Sequence, residues 1–175
     1  CADEIRQCAD GPAARLFTSL TSPDGAEEVT VLVEPWMPKP QLIIVGGGHV
    51  GQAVAAQAAL VGFEIVLFDD RPEFAEPSRF PAGTTAIGGP VGEMLSRFQR
   101  APDSYIVIVT RSADQDAAAL AAVFEQPASY VGLIGSRRKI KLLRQALVDS
   151  GDVSEDEFDR VYAPIGLDIG AVTVP

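Results

Sequence analysis

One stretch constrains this chain more than any other. Leu42 to Val45 is a short apolar run, Gly46-Gly47-Gly48-His49-Val50-Gly51 follows directly, and Val50 to Val61 then sets Val50, Ala53, Val54, Ala58 and Val61 on one helical stripe. No Lys, Arg, Asp or Glu falls between Gln41 and Phe63, which is long enough to cross a bilayer if it were uniformly apolar. The glycines, His49, Gln52 and Gln57 make hydrocarbon burial poor, so the stretch reads as strand, turn and helix. In that setting Gly46 permits a tight turn and Gly48 lets the backbone approach a ligand. Gly51 lets the helix pack closely, and the helix N-terminus offers its amides to a phosphate.

The residues downstream repeat the pattern. Glu64 to Phe68 reads as a strand, Thr84 to Ile87 as a weaker one, Pro90 to Phe98 as a helix and Tyr105 to Thr110 as a strand. A helix from Asp114 to Phe124, a strand from Tyr130 to Ile134 and a helix from Ser136 to Asp149 follow, with Arg160 to Ala163 as a candidate last strand. Apolar strands alternating with helices predict an α/β fold. Right-handed crossovers make it a doubly wound parallel sheet of the Rossmann type.

Upstream the chemistry differs. Arg15 to Ser22 and Glu27 to Glu34 flank Pro23-Asp24-Gly25, which predicts a β-hairpin. The proline-rich segment from Pro35 to Pro40 forbids regular structure. It sets the expected division between residues 1–40, the end of a small N-terminal domain with its linker, and residues 41–175, a cofactor-binding domain. The chain begins at Cys1 and stops directly after an ordered-looking segment, so it is expected to be a piece of a longer protein.

A formal charge of -10 argues against nucleic acid or an anionic membrane as partner, since both need a cationic surface. An anionic small molecule must therefore find a local positive pocket. Cys1 and Cys8 lie outside every periodic segment and cannot staple the core; with no apolar signal segment the expected location is the cytoplasm. His49 is the sole histidine and has no cysteine near it in sequence, so a tetrahedral zinc site has nothing to be built from.

Three further positions carry chemistry. Asp69 ends the strand after the glycine turn, 18 residues beyond Gly51, where it can accept a ribose hydroxyl; Arg71 beside it suits a 2'-phosphate, so NAD and NADP both stay open. Gly135-Ser136-Arg137-Arg138-Lys139 places a capping serine and three cations at a helix start, against the macrodipole, and a bound anion would resolve that conflict. Thr110 and Arg111 end a strand where open parallel sheets bind ligands. Asp114 and Asp116 follow, with helix capping as the favoured role, and Asp168 is the one charge in an apolar, glycine-rich loop expected to cross the strand ends. The plainer reading, in which the glycines only close a turn and the charges are solvated, stays open beside these.

Leu42 to Val50, Asp69 to Ala75, Tyr130 to Lys139 and Ala163 to Ala171 together resemble the xanthine dehydrogenase accessory factor family. The resemblance implies a Rossmann-type domain in a protein that binds molybdenum cofactor (molybdopterin), promotes its sulfuration with a sulfur donor and inserts it into a xanthine dehydrogenase-type molybdenum hydroxylase, as a homodimer. Where the family often has Gly-His after the Thr-Arg pair, this chain has Ser112-Ala113, so no role is carried onto those positions. A cofactor carrier needs an anion pocket but no bond-breaking set, and none is evident. The alternatives are an NAD(P)-dependent oxidoreductase, the one reading under which the chain would be an enzyme, and a dinucleotide-binding sensor that does not react. The residues expected to hold the ligand are Gly46, Gly48, His49, Gly51, Asp69, Thr110, Arg111, Gly135, Ser136, Arg137 and Asp168.

Overall fold

Strands without a polar face must be covered on both sides, and the larger sheet of this chain is five parallel strands built around such runs. In the computed structural model, which describes residues 15–21, 28–34, 38–101 and 103–170, the chain divides into two compact units, Cys1–Pro38 and Lys39–Pro175. In the first, β1 (Arg15–Thr21) and β2 (Glu28–Val33) pair antiparallel, with Arg15 opposite Val33 and Thr21 opposite Glu28. The Pro23-Asp24-Gly25 turn, Cys1, Cys8 and residues 35–37 lie outside the described residues.

The second unit alternates β3 (Gln41–Val45), α1 (His49–Leu60), β4 (Glu64–Asp69), β5 (Thr85–Gly88), α2 (Val91–Arg97), β6 (Tyr105–Ile108), α3 (Ala113–Val123), β7 (Tyr130–Leu133), α4 (Arg137–Ser150) and α5 (Glu155–Phe158). The strand period of two divides its apolar residues between two cores. Ile43, Val45, Val66, Phe68, Ile106 and Ile108 face α2, α3, α4 and α5, while Leu42, Ile44, Ile65, Leu67 and Val107 face α1. The strands run parallel in the order β5-β4-β3-β6-β7, which is the doubly wound arrangement. Truncating a fully buried member such as Ile43 to alanine should cost about 2–5 kcal/mol. No helix among the described residues is long and apolar enough to cross a membrane.

Three details depart from expectation. The buried stripe of α1 is Gly51, Ala55 and Ala58, whereas Val50 and Val61 are exposed, because small residues let this helix lie close to the sheet. Arg160 to Ala163 forms no strand ladder; Tyr162 makes one parallel bridge to Gly132, and Ile165 donates its amide to the Leu133 carbonyl. Residues 162–165 therefore run alongside β7. Two 3-10 turns, Pro72–Phe74 and Pro77–Arg79, fill the link between β4 and β5, each opened by a proline whose fixed φ suits a first helical position.

Candidate functional site at the carboxyl ends of the strands

The strand order reverses between β3 and β6, and both strands deliver their following loops to the same end of the sheet. Gly46 has φ +117, and a Cβ on it would sit 2.6 Å from the Val109 carbonyl oxygen. Only glycine lets the two loops meet there. A Cβ on Gly47 would lie 2.1 Å from the Phe74 carbonyl oxygen, and one on Gly51 would lie 1.9 Å from the Gly46 carbonyl oxygen. Gly48 is different: a Cβ on it meets nothing within 4 Å. It is the one open face of the turn.

Gly48 also begins α1. The helix has no side-chain cap and no acid in its first turn, a combination no other described α-helix shows, so its leading amides stay available. His49 is exposed at the first helical position. By contrast Ser112, Ser136 and Ser154 cap α3, α4 and α5 by accepting the amides of Gln115, Lys139 and Glu157.

Asp69 is buried and committed to the protein. Its Oδ2 accepts from the Gly47 amide at 2.7 Å and from Arg71 Nη2 at 3.0 Å, and its Oδ1 accepts from the Arg71 amide and Nε, both at 3.0 Å. Burial alone would raise this carboxyl, but the Arg71 and Gly47 hydrogen bonds together with the Arg71 charge outweigh it and hold the group below its ordinary value. A carboxylate has about four acceptor positions. All four are filled by the protein's own donors, so Asp69 shapes the turn, and a ligand hydroxyl would have to displace one of them. Arg71 is itself stacked on Phe74, its Cζ 3.5 Å from the ring centroid.

The β6 loop behaves similarly. Thr110 turns its hydroxyl inward, donating to Asp116 Oδ1 at 2.5 Å. Asp116 is fully buried and also pairs with the Lys139 ammonium from α4. Its expected capping role belongs instead to Ser112. This pairing accounts for one of the three cations that oppose the dipole of α4, leaving exposed Arg137 and Arg138 with no ion pair among the described residues. Gly135 makes room for the Lys139 stem, since a Cβ there would lie 3.3 Å from Lys139 Cδ. Arg111 is exposed and its Nη2 lies 3.3 Å from Asp70 Oδ2.

The structure thus brings Gly46, Gly48, Gly51, Asp69, Thr110 and Arg111 to one mouth, and ties Ser136 and Gly135 to it through Lys139 and Asp116. Asp168 is not tied in. It lies in an exposed loop beside Leu167 and Ile169, 89% and 79% exposed, and accepts only the Gly170 amide at 3.3 Å among the described residues. Sequence reasoning gives Asp70 no role, because its neighbour Asp69 takes the ribose role by position, and does not separate Lys139 from the two arginines it stands in a row with.

Comparison with known proteins settles the kinship of this fold. A family model described as the XdhC Rossmann domain matches residues 42–175. The chain belongs to the XdhC family. Escherichia coli (strain K12) has an uncharacterized relative, YqeB, 34% identical over 98% of this chain and 33% of its own length. A Bacillus subtilis (strain 168) protein named as a probable xanthine dehydrogenase subunit is 32% identical over 90% of this chain and 45% of its own. A crystal structure described as a xanthine dehydrogenase from Bacillus halodurans superposes with a TM-score of 0.64 at 30% identity, over 82% of this chain and 40% of that one. The chain therefore spans less than half the length of these relatives.

Proposed function

We propose that this XdhC domain holds the phosphate-bearing end of molybdenum cofactor at the glycine turn, as part of a homodimeric accessory protein that assists sulfuration of the cofactor by a sulfur donor and its insertion into a xanthine dehydrogenase-type hydroxylase. One observation carries the reading. The uncapped N-terminus of α1 opens beside Gly48, the only glycine of the turn whose missing Cβ leaves free space, with Arg111 on the neighbouring loop. Backbone amides, helix dipole and a guanidinium suit a phosphate or pyrophosphate.

The residues present fit a carried anion. Amides of Gly48, His49 and Val50 would hold the phosphate, the His49 ring would add a donor, and Arg111 would complete the charge. The molybdenum centre itself supplies the hydroxylase chemistry once it is in the client enzyme. Among the side chains at this mouth the acids are engaged: Asp69 by Arg71, Asp116 by Lys139 and Asp70 by Arg111. That suits binding and release more than proton transfer. A nicotinamide dinucleotide is disfavoured by the same arrangement, because a ribose hydroxyl would have to displace Arg71 from Asp69.

The test is a titration of the purified protein with molybdenum cofactor, NAD and NADP, followed by thermal shift. Stabilisation by the pterin alone is expected. Stabilisation by a nicotinamide nucleotide alone would replace this reading with an oxidoreductase or a dinucleotide sensor.

A further inference from the structure

Asp70 and Arg111 stand on loops whose strands are not neighbours. Asp70 follows β4 and Arg111 follows β6, with β3 between them, so two inter-strand spacings, roughly 10 Å, separate the strands they follow. Their side chains nevertheless meet, Nη2 to Oδ2 at 3.3 Å. Since β3 lies between, the pair crosses the carboxyl end of β3, where the chain turns through Gly46, Gly47 and Gly48 into α1. Asp70 is steadied from the other side by Arg71, whose Nε lies 3.6 Å from Asp70 Oδ1. Arg111 makes no other ion pair among the described residues.

We infer that Asp70 is a built-in competitor for Arg111, a carboxylate that occupies the guanidinium until an anionic ligand at the glycine turn takes it over. This rests on the reading of that turn as an anion site, and it adds a selection rule. A ligand must displace a carboxylate. A phosphate or pyrophosphate does so by carrying more charge, whereas a carboxylate ligand carries the same single charge as Asp70 and gains less by the exchange. Arg111 is 59% exposed and Asp70 30%, so their pairing is a threshold and not a lock, and it weakens as salt rises.

The experiment is isothermal titration of the full chain with inorganic pyrophosphate at low salt, for the wild type, Asp70→Asn, Arg111→Gln and the double variant. Glu93→Gln, which breaks the surface pair with Arg97, serves as a control for charge alone. Asp70→Asn should bind roughly two- to fivefold tighter, the range an exposed ion pair commands, and Arg111→Gln should bind more weakly. In the Arg111→Gln background the gain from Asp70→Asn should vanish, because a pairwise effect needs both partners. An equal gain in both backgrounds would mean simple repulsion, and no gain at all would mean no competition; either overturns the competitor role while the anion site stands. If no protein binds pyrophosphate although circular dichroism shows each folded, the anion site itself fails and the competitor falls with it.

Discussion

The Lys139 ammonium, in the first turn of α4, reaches the carboxylate of Asp116, which is fully buried in the first turn of α3 and also accepts the Thr110 hydroxyl. The loop after β6, α3 and α4 are thereby joined by one buried charge.

The two halves of that pair are not equal in exposure, and their removal should differ accordingly. Lys139 is 30% exposed and can turn to water when Asp116 is neutralised, whereas Asp116 has no such escape when Lys139 is lost. Lys139→Met should therefore cost about 3 kcal/mol and Asp116→Asn about 1–2 kcal/mol, read from urea midpoints. Equal losses, or a costlier Asp116→Asn, would contradict this assignment of charge and burial.

The Asp69 clamp makes a prediction about pH. Its carboxyl titrates lower in the folded chain than in the unfolded one, so its contribution to stability is fully present above the unfolded value, near pH 4, and is lost as pH falls through the folded value. The stability gap between wild type and Asp69→Asn should stay level from pH 7 to about pH 5 and close below about pH 4. Denaturant titrations across that range check it. A gap that widens on acidification would reverse the sign.

Within the glycine turn, space separates folding from binding. Gly51→Ala pushes a methyl group into the Gly46 carbonyl and should cost several degrees of Tm, while Gly48→Ala meets open space at an extended backbone and should cost at most about 1 kcal/mol. Gly48→Ala should still weaken pyrophosphate binding, because the methyl group occupies the approach. A Gly48→Ala protein that is destabilised yet binds pyrophosphate as the wild type does would show that Gly48 serves the fold alone.

Particular residues show how far the chain's order is legible without its structure. Leu42 to Val45, Tyr105 to Ile108 and Tyr130 to Leu133 stand out as buried parallel strands because nothing polar interrupts them. Gly46 and Gly48 are legible as a turn and an open face because glycine after a strand has few other uses. The fate of Asp69 is not legible, since its saturation depends on Arg71 being folded back by its stacking on Phe74. Asp116 resembles a cap because an acid near a helix start usually is one; only the tertiary approach of α4 makes it a buried partner. α5 escapes notice although its capping box, Ser154 with Glu157, stands in the sequence, because four residues carry no measurable period.

The most direct measurement follows backbone amides by heteronuclear NMR while molybdenum cofactor, and separately pyrophosphate, is added. Shifts should concentrate on Gly47, Gly48, His49, Val50 and Gly51 with Arg111, leaving Tyr130 and Tyr162 at the far end of the sheet unmoved. Shifts centred on Tyr130 and Tyr162 instead, or none at all at saturating pterin, would contradict an anion site at the start of α1.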